Sequence, residues 1–154
     1  ILKFGVDKFY AQCEKLGVDG VIIPDLPPDE SPVSSRQSPV ETICLVAPTS
    51  TDERIKLAAD KSSGFIYLVS VAGITGKRDA LAGDLKELVG RVKKYSSLPV
   101  AVGFGISKPV QAAEVAKIAD GVIVGSAIVD LIAKKKISAI SKFVASLRKA
   151  IDAR

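Results

Sequence analysis

The sequence predicts an α/β fold built on a parallel sheet, and three observations predict it. Five short apolar runs, at 20–25, 43–48, 65–70, 99–104 and 121–125, are continuous rather than alternating, as strands covered on both faces are. Helical patterns lie between most of them, and βαβα alternation makes the strands parallel. The starts at 20, 43 and 65, and again at 99 and 121, repeat at 22 or 23 residues. Even spacing favours a closed barrel over an open doubly wound sheet. A full TIM (β/α)8 barrel needs eight strands and roughly 250 residues. A chain of 154 residues with about five parallel strands and alternating helices fits a partial barrel, the C-terminal five-eighths of one, with the first three βα units missing. Residues 1–154 are expected to form a single domain.

The helices follow from their apolar spacing. Asp7 can cap a first helix that turns Phe9, Tyr10, Cys13 and Leu16 inward and ends at Gly17. Ser50-Thr51-Asp52-Glu53 has the form of a capping box, with Ile55, Ala58 and Ala59 inward behind it. Leu85, Leu88, Val89 and Val92 keep i, i+3, i+4, i+7 spacing. Ser107 can cap a further helix with Pro109 in its first turn. Ile140, Phe143, Val144, Leu147 and Ile151 form a last apolar stripe, read as core packing. One stretch breaks the pattern: Ser31-Pro32-Val33-Ser34-Ser35-Arg36-Gln37-Ser38-Pro39 carries two prolines and four serines. An irregular crossover segment over 31–42 is expected there.

Composition narrows the function classes. Hydrophobic residues make up 47% and aromatics 5%, so the core must be aliphatic. No apolar run is long enough to span a bilayer and no signal peptide is visible, so a cytoplasmic location is expected. Cys13 and Cys44 have no metal or redox spacing and are expected to be buried free thiols. There is no His, which removes the commonest metal ligand and neutral-pH acid–base group. Neither metal nor cofactor is expected. The net charge of +5 is spread over helix faces, as in Lys134-Lys135-Lys136, without interleaved aromatics, which argues against nucleic-acid binding. The absence of Met and the opening in mid-pattern at Ile1-Leu2-Lys3-Phe4-Gly5 suggest an internal start, a fragment or a processed product.

Chemistry is expected at the C-terminal ends of the strands. Gly103-Phe104-Gly105-Ile106-Ser107 closes one strand, and Gly121-Val122-Ile123-Val124-Gly125-Ser126-Ala127 closes the next and opens a helix directly. Glycines let backbone approach an anion, and a helix N-terminus favours negative charge. In successive βα units the pair points to phosphate; each alone would also suit a tight turn without a ligand. The glycine-punctuated segment 71–83 stands where a lid would sit, and a plain surface loop has the same composition. Asp25, in Val21-Ile22-Ile23-Pro24-Asp25-Leu26-Pro27-Pro28, could orient substrate, act as a base or cap the following turn.

Taken together, Asp7-Lys8-Phe9-Tyr10-Ala11, Gly17-Val18-Asp19-Gly20, Pro24-Asp25-Leu26-Pro27, Leu45-Val46-Ala47-Pro48-Thr49, Gly73-Ile74-Thr75-Gly76, Gly103-Phe104-Gly105-Ile106-Ser107 and the segment 121–128 resemble tryptophan synthase alpha subunits in order and spacing. The resemblance covers nearly the whole chain and departs from it between Ser31 and about Thr42. It implies a carbon–carbon lyase of tryptophan biosynthesis, cleaving indole-3-glycerol phosphate to indole and glyceraldehyde 3-phosphate by a retro-aldol step. It implies a partner, the pyridoxal-phosphate beta subunit, in an alpha2beta2 assembly when full length. By motif, Gly76, Gly105, Gly125 and Ser126 would hold the phosphate, Tyr67 and Phe104 would line the pocket, and Thr75 would be the lid threonine. Asp25 would lie near the beta-subunit contact. The family's catalytic Glu and Asp belong to the second βα unit, which would precede residue 1, so no residue of this chain inherits their roles and the chain alone is expected to be inactive.

Two other classes compete. Another phosphate-binding barrel enzyme, such as an isomerase or synthase of the same pathway, would share the two glycine-rich strand ends but not Pro24-Asp25-Leu26-Pro27 together with Gly73-Ile74-Thr75-Gly76. A non-catalytic half-barrel would bind only phosphate or a partner. An arc of five strands should also leave Ile22, Val46, Tyr67, Val100 and Val122 without part of their interior layer.

Overall fold

The computed structural model of the chain describes residues 1–30, 39–70, 78–103 and 105–153, with the side chains of 78–83 outside that description. Strands and helices alternate: α1 (Val6–Lys15), β1 (Gly20–Ile22), a 3-10 turn (Pro28–Glu30), β2 (Glu41–Ile43), β3 (Leu45–Val46), α2 (Asp52–Lys61), β4 (Ile66–Val69), α3 (Arg78–Tyr95), β5 (Val100–Gly103), α4 (Pro109–Ala116), β6 (Gly121–Ile123), α5 (Ser126–Ala133) and α6 (Ile137–Asp152). Every described pairing is parallel: β1 with β2, and β3–β4–β5–β6 in order. This is the expected α/β architecture of a partial barrel.

The expected strand at 43–48 is two short strands. Cys44 N–H donates to the Ser62 hydroxyl at 3.2 Å, which takes one donor out of the ladder. Upstream of it β2 pairs back to β1, and downstream β3 pairs forward to β4. Ladder pairing begins earlier than expected, since Glu41 N–H donates to Asp19 O at 2.8 Å. The irregular segment expected over 31–42 therefore ends sooner: 31–38 lie outside the described residues, while Glu41 and Thr42 belong to β2.

One face of the sheet is sealed. Ile66, Leu68, Val100 and Val102 are inaccessible and pack with Val46, Ile55, Ala58, Leu88, Val89, Val92, Ala112, Val115 and Leu147. A smaller cluster of Tyr10, Cys13 and Val40 lies under β1 and β2. The thiols of Cys13 and Cys44 are free and buried, and burial pushes the Cys44 thiol above its ordinary value. The expectation for Val46, Val100 and Val122 is corrected: Val46 and Val100, at 1% and 0% exposure, belong to the sealed face, and Val122, paired with Val102, packs against the same core. The half-buried face is formed instead by the paired row Leu45, Tyr67, Ala101 and Gly121.

Several helix details also differ. The residue before α1 is Gly5, with φ +94°, and Asp7 sits in the first turn, where its charge suits the helix dipole. Leu16 ends α1 and is exposed because the chain turns away at Gly17, φ +71°. The cap of α2 is Thr51, whose hydroxyl accepts from Arg54 N–H. Val144 of α6 is exposed, whereas Leu147 is buried. Helix α3 starts at Arg78, so the far half of the segment expected as a loop over 71–83 is helical; 71–77 lie outside the described residues. The inward positions Ile55, Ala58, Ala59, Leu88, Val89 and Val92 are buried as expected.

Asp120 fastens the starts of β5 and β6 to α3. Its carboxylate accepts from Val100 N–H at 2.9 Å and from Lys93 Nζ at 3.0 Å, and its own N–H donates to Val100 O. The Val100 N–H first, and then the ammonium, hold this carboxyl below its ordinary value. A lowered folded value stabilises the protein fully above the unfolded carboxyl's value of about 3.9, and the contribution is lost as pH falls through the folded value. The urea midpoint of the parent should therefore fall further between neutral pH and about pH 3 than that of Asp120→Ala. Equal falls in both proteins would show that this carboxylate makes no pH-linked contribution.

Candidate functional site

The register of β4, β5 and β6 sets the site. Val69 pairs with Gly103 and Gly103 with Ile123, so the strands end level. Gly105 stands two residues past β5 and Gly125 two residues past β6, both exposed. Gly105 has φ +77°, a left-handed conformation that suits glycine. Its turn is anchored by Ile106, which is buried in the main core.

The two helices that start here differ. Helix α4 follows Lys108, and Gln111 reaches back so that its side-chain oxygen accepts from Ser107 N–H and Lys108 N–H, both at 2.9 Å. Ser107 is thus not the cap expected from sequence. This helix entrance is closed by its own chain. Helix α5 opens on Gly125 with no side-chain cap, and its first internal bonds run from Ile128 and Val129 to Gly125 O. The N–H groups of Ser126 and Ala127 face forward as first-turn donors without an acceptor in the helix. That is the polarity an anion requires.

Tyr67 crosses the floor. It sits on β4 opposite Ala101 of β5, and a Cβ built on Gly103 would lie 2.5 Å from Tyr67 Oη and 2.7 Å from its Cε2. Gly103 is therefore the space that the tyrosine ring occupies. Gly121 in turn lies against Ala101, where a Cβ would come to 3.2 Å of the Ala101 methyl. Small residues thus flank one aromatic side chain on the half-buried face.

Tyr67 stands on β4, Gly105 just past the end of β5, and Gly125 and Ser126 just past the end of β6, three adjoining strands. Thr75, Gly76 and Phe104 lie outside the described residues. Asp25 is exposed in the turn after β1, on a different pair of strands. Two shallow polar depressions, one lined by Lys93, Ser96 and Asp120 and the other by Glu41, Ser62 and Tyr95, lie towards the opposite, N-terminal end of the strands. Ser62, Ser63 and Ser96 there already accept from the backbone N–H groups of Cys44, Thr42 and Leu98, so they organise strand starts.

Three described carboxyls are held in their charged form by named partners. Asp52 is lowered by the Arg91 guanidinium, Glu53 by a backbone N–H and Asp120 by Val100 N–H, the direction that favours the charged form. A carboxylic acid that donates a proton near neutrality needs the opposite shift. Two residues that sequence reading passed over belong to the site's frame. Gln111 was signalled by its place three residues after Lys108, and Ser70, whose hydroxyl donates to Gly103 O, carried no sequence signal.

The contact between Gly103 and Tyr67 is testable by a double-mutant cycle. Gly103→Ala should cost about 1–3 kcal/mol by displacing the ring, and most of that cost should vanish in a Tyr67→Ala background. Urea denaturation of the four proteins measures it. The same cost in both backgrounds would mean that the ring does not occupy this space.

Comparison with known proteins supplies the lineage. The family profile described as tryptophan synthase alpha chain matches residues 1–152. The tryptophan synthase alpha chain of Dehalococcoides mccartyi is 48% identical over 156 aligned residues, 99% of this chain and 61% of that relative. That of Methanocaldococcus jannaschii is 50% identical over 137, 87% of this chain and 49% of the relative. Among solved structures, Mycobacterium tuberculosis tryptophan synthase superposes with a TM-score of 0.84 at 40% identity, over 97% of this chain and 58% of that one. Tryptophan synthase subunit alpha of Legionella pneumophila gives 0.82 at 34%, over 100% and 60%. The chain thus spans about half to three-fifths of the length of the relatives it matches. No described helix is long and apolar enough to cross a membrane. With the match running almost from end to end, the chain belongs to the tryptophan synthase alpha chain family.

Proposed function

We propose that this chain carries the phosphate-gripping side of an alpha-subunit lyase site, for retro-aldol cleavage of indole-3-glycerol phosphate to indole and glyceraldehyde 3-phosphate. The observation that carries the reading is the level pair of glycine-bearing strand ends, one of which opens directly into the uncapped N-terminus of α5. A phosphate dianion placed between them meets the donors of Gly125, Ser126 and Ala127 and the positive end of the helix dipole. Gly105 allows close backbone approach from the neighbouring strand. Tyr67 lies where it can cover the organic part of the substrate. By resemblance, Gly76 would add to the phosphate grip, Phe104 would line the pocket with Tyr67, and Thr75 would act from the lid.

Retro-aldol cleavage needs a proton removed from a hydroxyl and a proton delivered to the departing indole carbon. Positioned acids and bases contribute about 10²–10⁴-fold to such transfers. By resemblance, we assign the proton transfers to the family's Glu and Asp, outside these 154 residues. On this reading the chain is the C-terminal five-eighths of a barrel, and the remainder of the relatives' length supplies the rest. The apolar side chains exposed at both ends of the strand series support it: Leu2, Phe4 and Ile22 near β1, and Val129, Ile132 and Ile137 beyond β6. Indole would pass to a pyridoxal-phosphate beta subunit, with the exposed Asp25 loop as the candidate contact.

The phosphate assignment is tested in the full-length protein with glycerol phosphate. Gly105→Asp or Ser126→Asp should put a carboxylate against the ligand and raise its Kd at least about tenfold, a penalty of roughly 1.4 kcal/mol. Unchanged calorimetric Kd in both variants would remove the site. The alternative, a non-catalytic half-barrel, is favoured by the half-buried sheet face alone. Refolding this chain with a polypeptide comprising the first three βα units should restore indole release, with neither piece active by itself. Turnover by the 154-residue chain alone would place the proton-transfer groups within it.

A further inference from the structure

We infer that Ser70 is a positioning residue for the anion-binding turn: its hydroxyl holds the Gly103 carbonyl, and so fixes the point from which the chain leaves β5 towards Gly105. The inference deepens the proposed phosphate site and rests on it. Two bonds meet at the Gly103 oxygen. Ser70 N–H donates at 2.9 Å, which continues the parallel ladder one residue past Val69↔Gly103. Ser70 Oγ–H donates to the same oxygen at 3.1 Å. The ladder bond already satisfies the carbonyl for strand pairing. A carbonyl oxygen has two lone-pair directions, and filling both fixes the orientation of the peptide as well as its position.

The location gives the second bond its use. It lies at the last rung between β4 and β5, where a ladder is most prone to open. The next described residue of β5's chain is Gly105, whose φ of +77° and missing side chain leave it little intrinsic stiffness. Stiffness must come from both sides of the turn. Downstream it comes from Ile106, buried at 2% exposure, and from Ser107 N–H on the Gln111 side chain. Upstream it comes from Gly103, which the Tyr67 ring covers and the Ser70 hydroxyl holds by its carbonyl. A turn clamped at both ends presents its backbone to an anion without an ordering cost at binding.

The test uses the natural full-length protein that carries this sequence, with glycerol phosphate as the calorimetric probe and indole-3-glycerol phosphate for kinetics. Ser70→Ala removes the hydroxyl and keeps the ladder N–H. It should raise the Kd for glycerol phosphate and the KM roughly three- to tenfold, the range of one ordinary net hydrogen bond. kcat should change by less than about twofold, because a handle gripped equally in ground and transition states affects KM. Ser70→Thr keeps a hydroxyl on the same backbone and should return Kd and KM to the parent values. Parent-like Kd in Ser70→Ala overturns the inference. So does equal weakening in Ser70→Ala and Ser70→Thr, which would place the effect in packing; this comparison decides even if the alanine variant loses Tm. Failure of the parent to bind glycerol phosphate would overturn the phosphate site itself, whereas parent binding with an indifferent Ser70 would leave that site standing.

Discussion

The parallel register of β4, β5 and β6 is the constraint on which the rest depends. Val69↔Gly103 and Gly103↔Ile123 bring three strand ends to one height, and the site consists of what each strand does next. The register is set from the other side of the sheet. Ile66, Leu68, Val100 and Val102 are sealed against α2, α3 and α4, and side chains alternate with a period of two. A slip of one residue would expel that set from the core and turn Tyr67 and Ala101 into it. Burying four aliphatic side chains, each worth roughly 1.5–3 kcal/mol, outweighs any preference of the strand ends themselves. The core thus chooses where Gly105 and Gly125 stand, although both are exposed.

Much of this fold could be read in the sequence, because the signals were local and repeated. Runs of Val, Ile and Leu marked the strands, and i, i+3, i+4 spacing marked the inward faces of α2 and α3, where Ile55, Ala58, Leu88 and Val92 are buried. Faces of strands were not legible. A run such as Val100-Ala101-Val102 is apolar throughout, so it does not say which residues meet helices, and Val46 and Val100 were expected on the wrong side. The break at Cys44 was equally hidden. It depends on a bond from Cys44 N–H to Ser62, eighteen positions away, and no period reports such a partner. Helix starts slipped by one residue, at Thr51 for Ser50 because both carry a hydroxyl that can cap, and at Lys108 for Ser107 because the Gln111 side chain, not the serine, takes the N–H groups there.

The site was legible to a different degree at each residue. Gly105 and Gly125 stood out because glycine at a strand end is a strong local mark, and the structure adds a reason for one of them, the positive φ at Gly105. Gly103 looked like part of the same motif, yet its cause is different. It is small because Tyr67, thirty-six positions earlier, lies across it. Ser70 was invisible, since a serine after a strand is ordinary and its meaning comes from the carbonyl it reaches on the next strand.

The two helix entrances explain why adjacent strand ends need not be equivalent. Both α4 and α5 begin just past a glycine-rich turn, and each carries the dipole and free N–H groups of a helix start. At α4 the Gln111 side chain fills that position, so an anion there would have to displace an acceptor with two bonds in place. At α5 the cap is a glycine with no side chain to fold back. Selectivity for an anion can therefore reside in backbone, with no Lys or Arg among the residues assigned to the grip. On the proposed reading such a site would attract a phosphate through short-range dipoles that a scattered net charge of +5 cannot imitate, since exposed charges are screened over about 10 Å in salt. A binding element of that kind combines with proton-transfer chemistry supplied from elsewhere in a barrel, and this is the division of labour proposed for this chain.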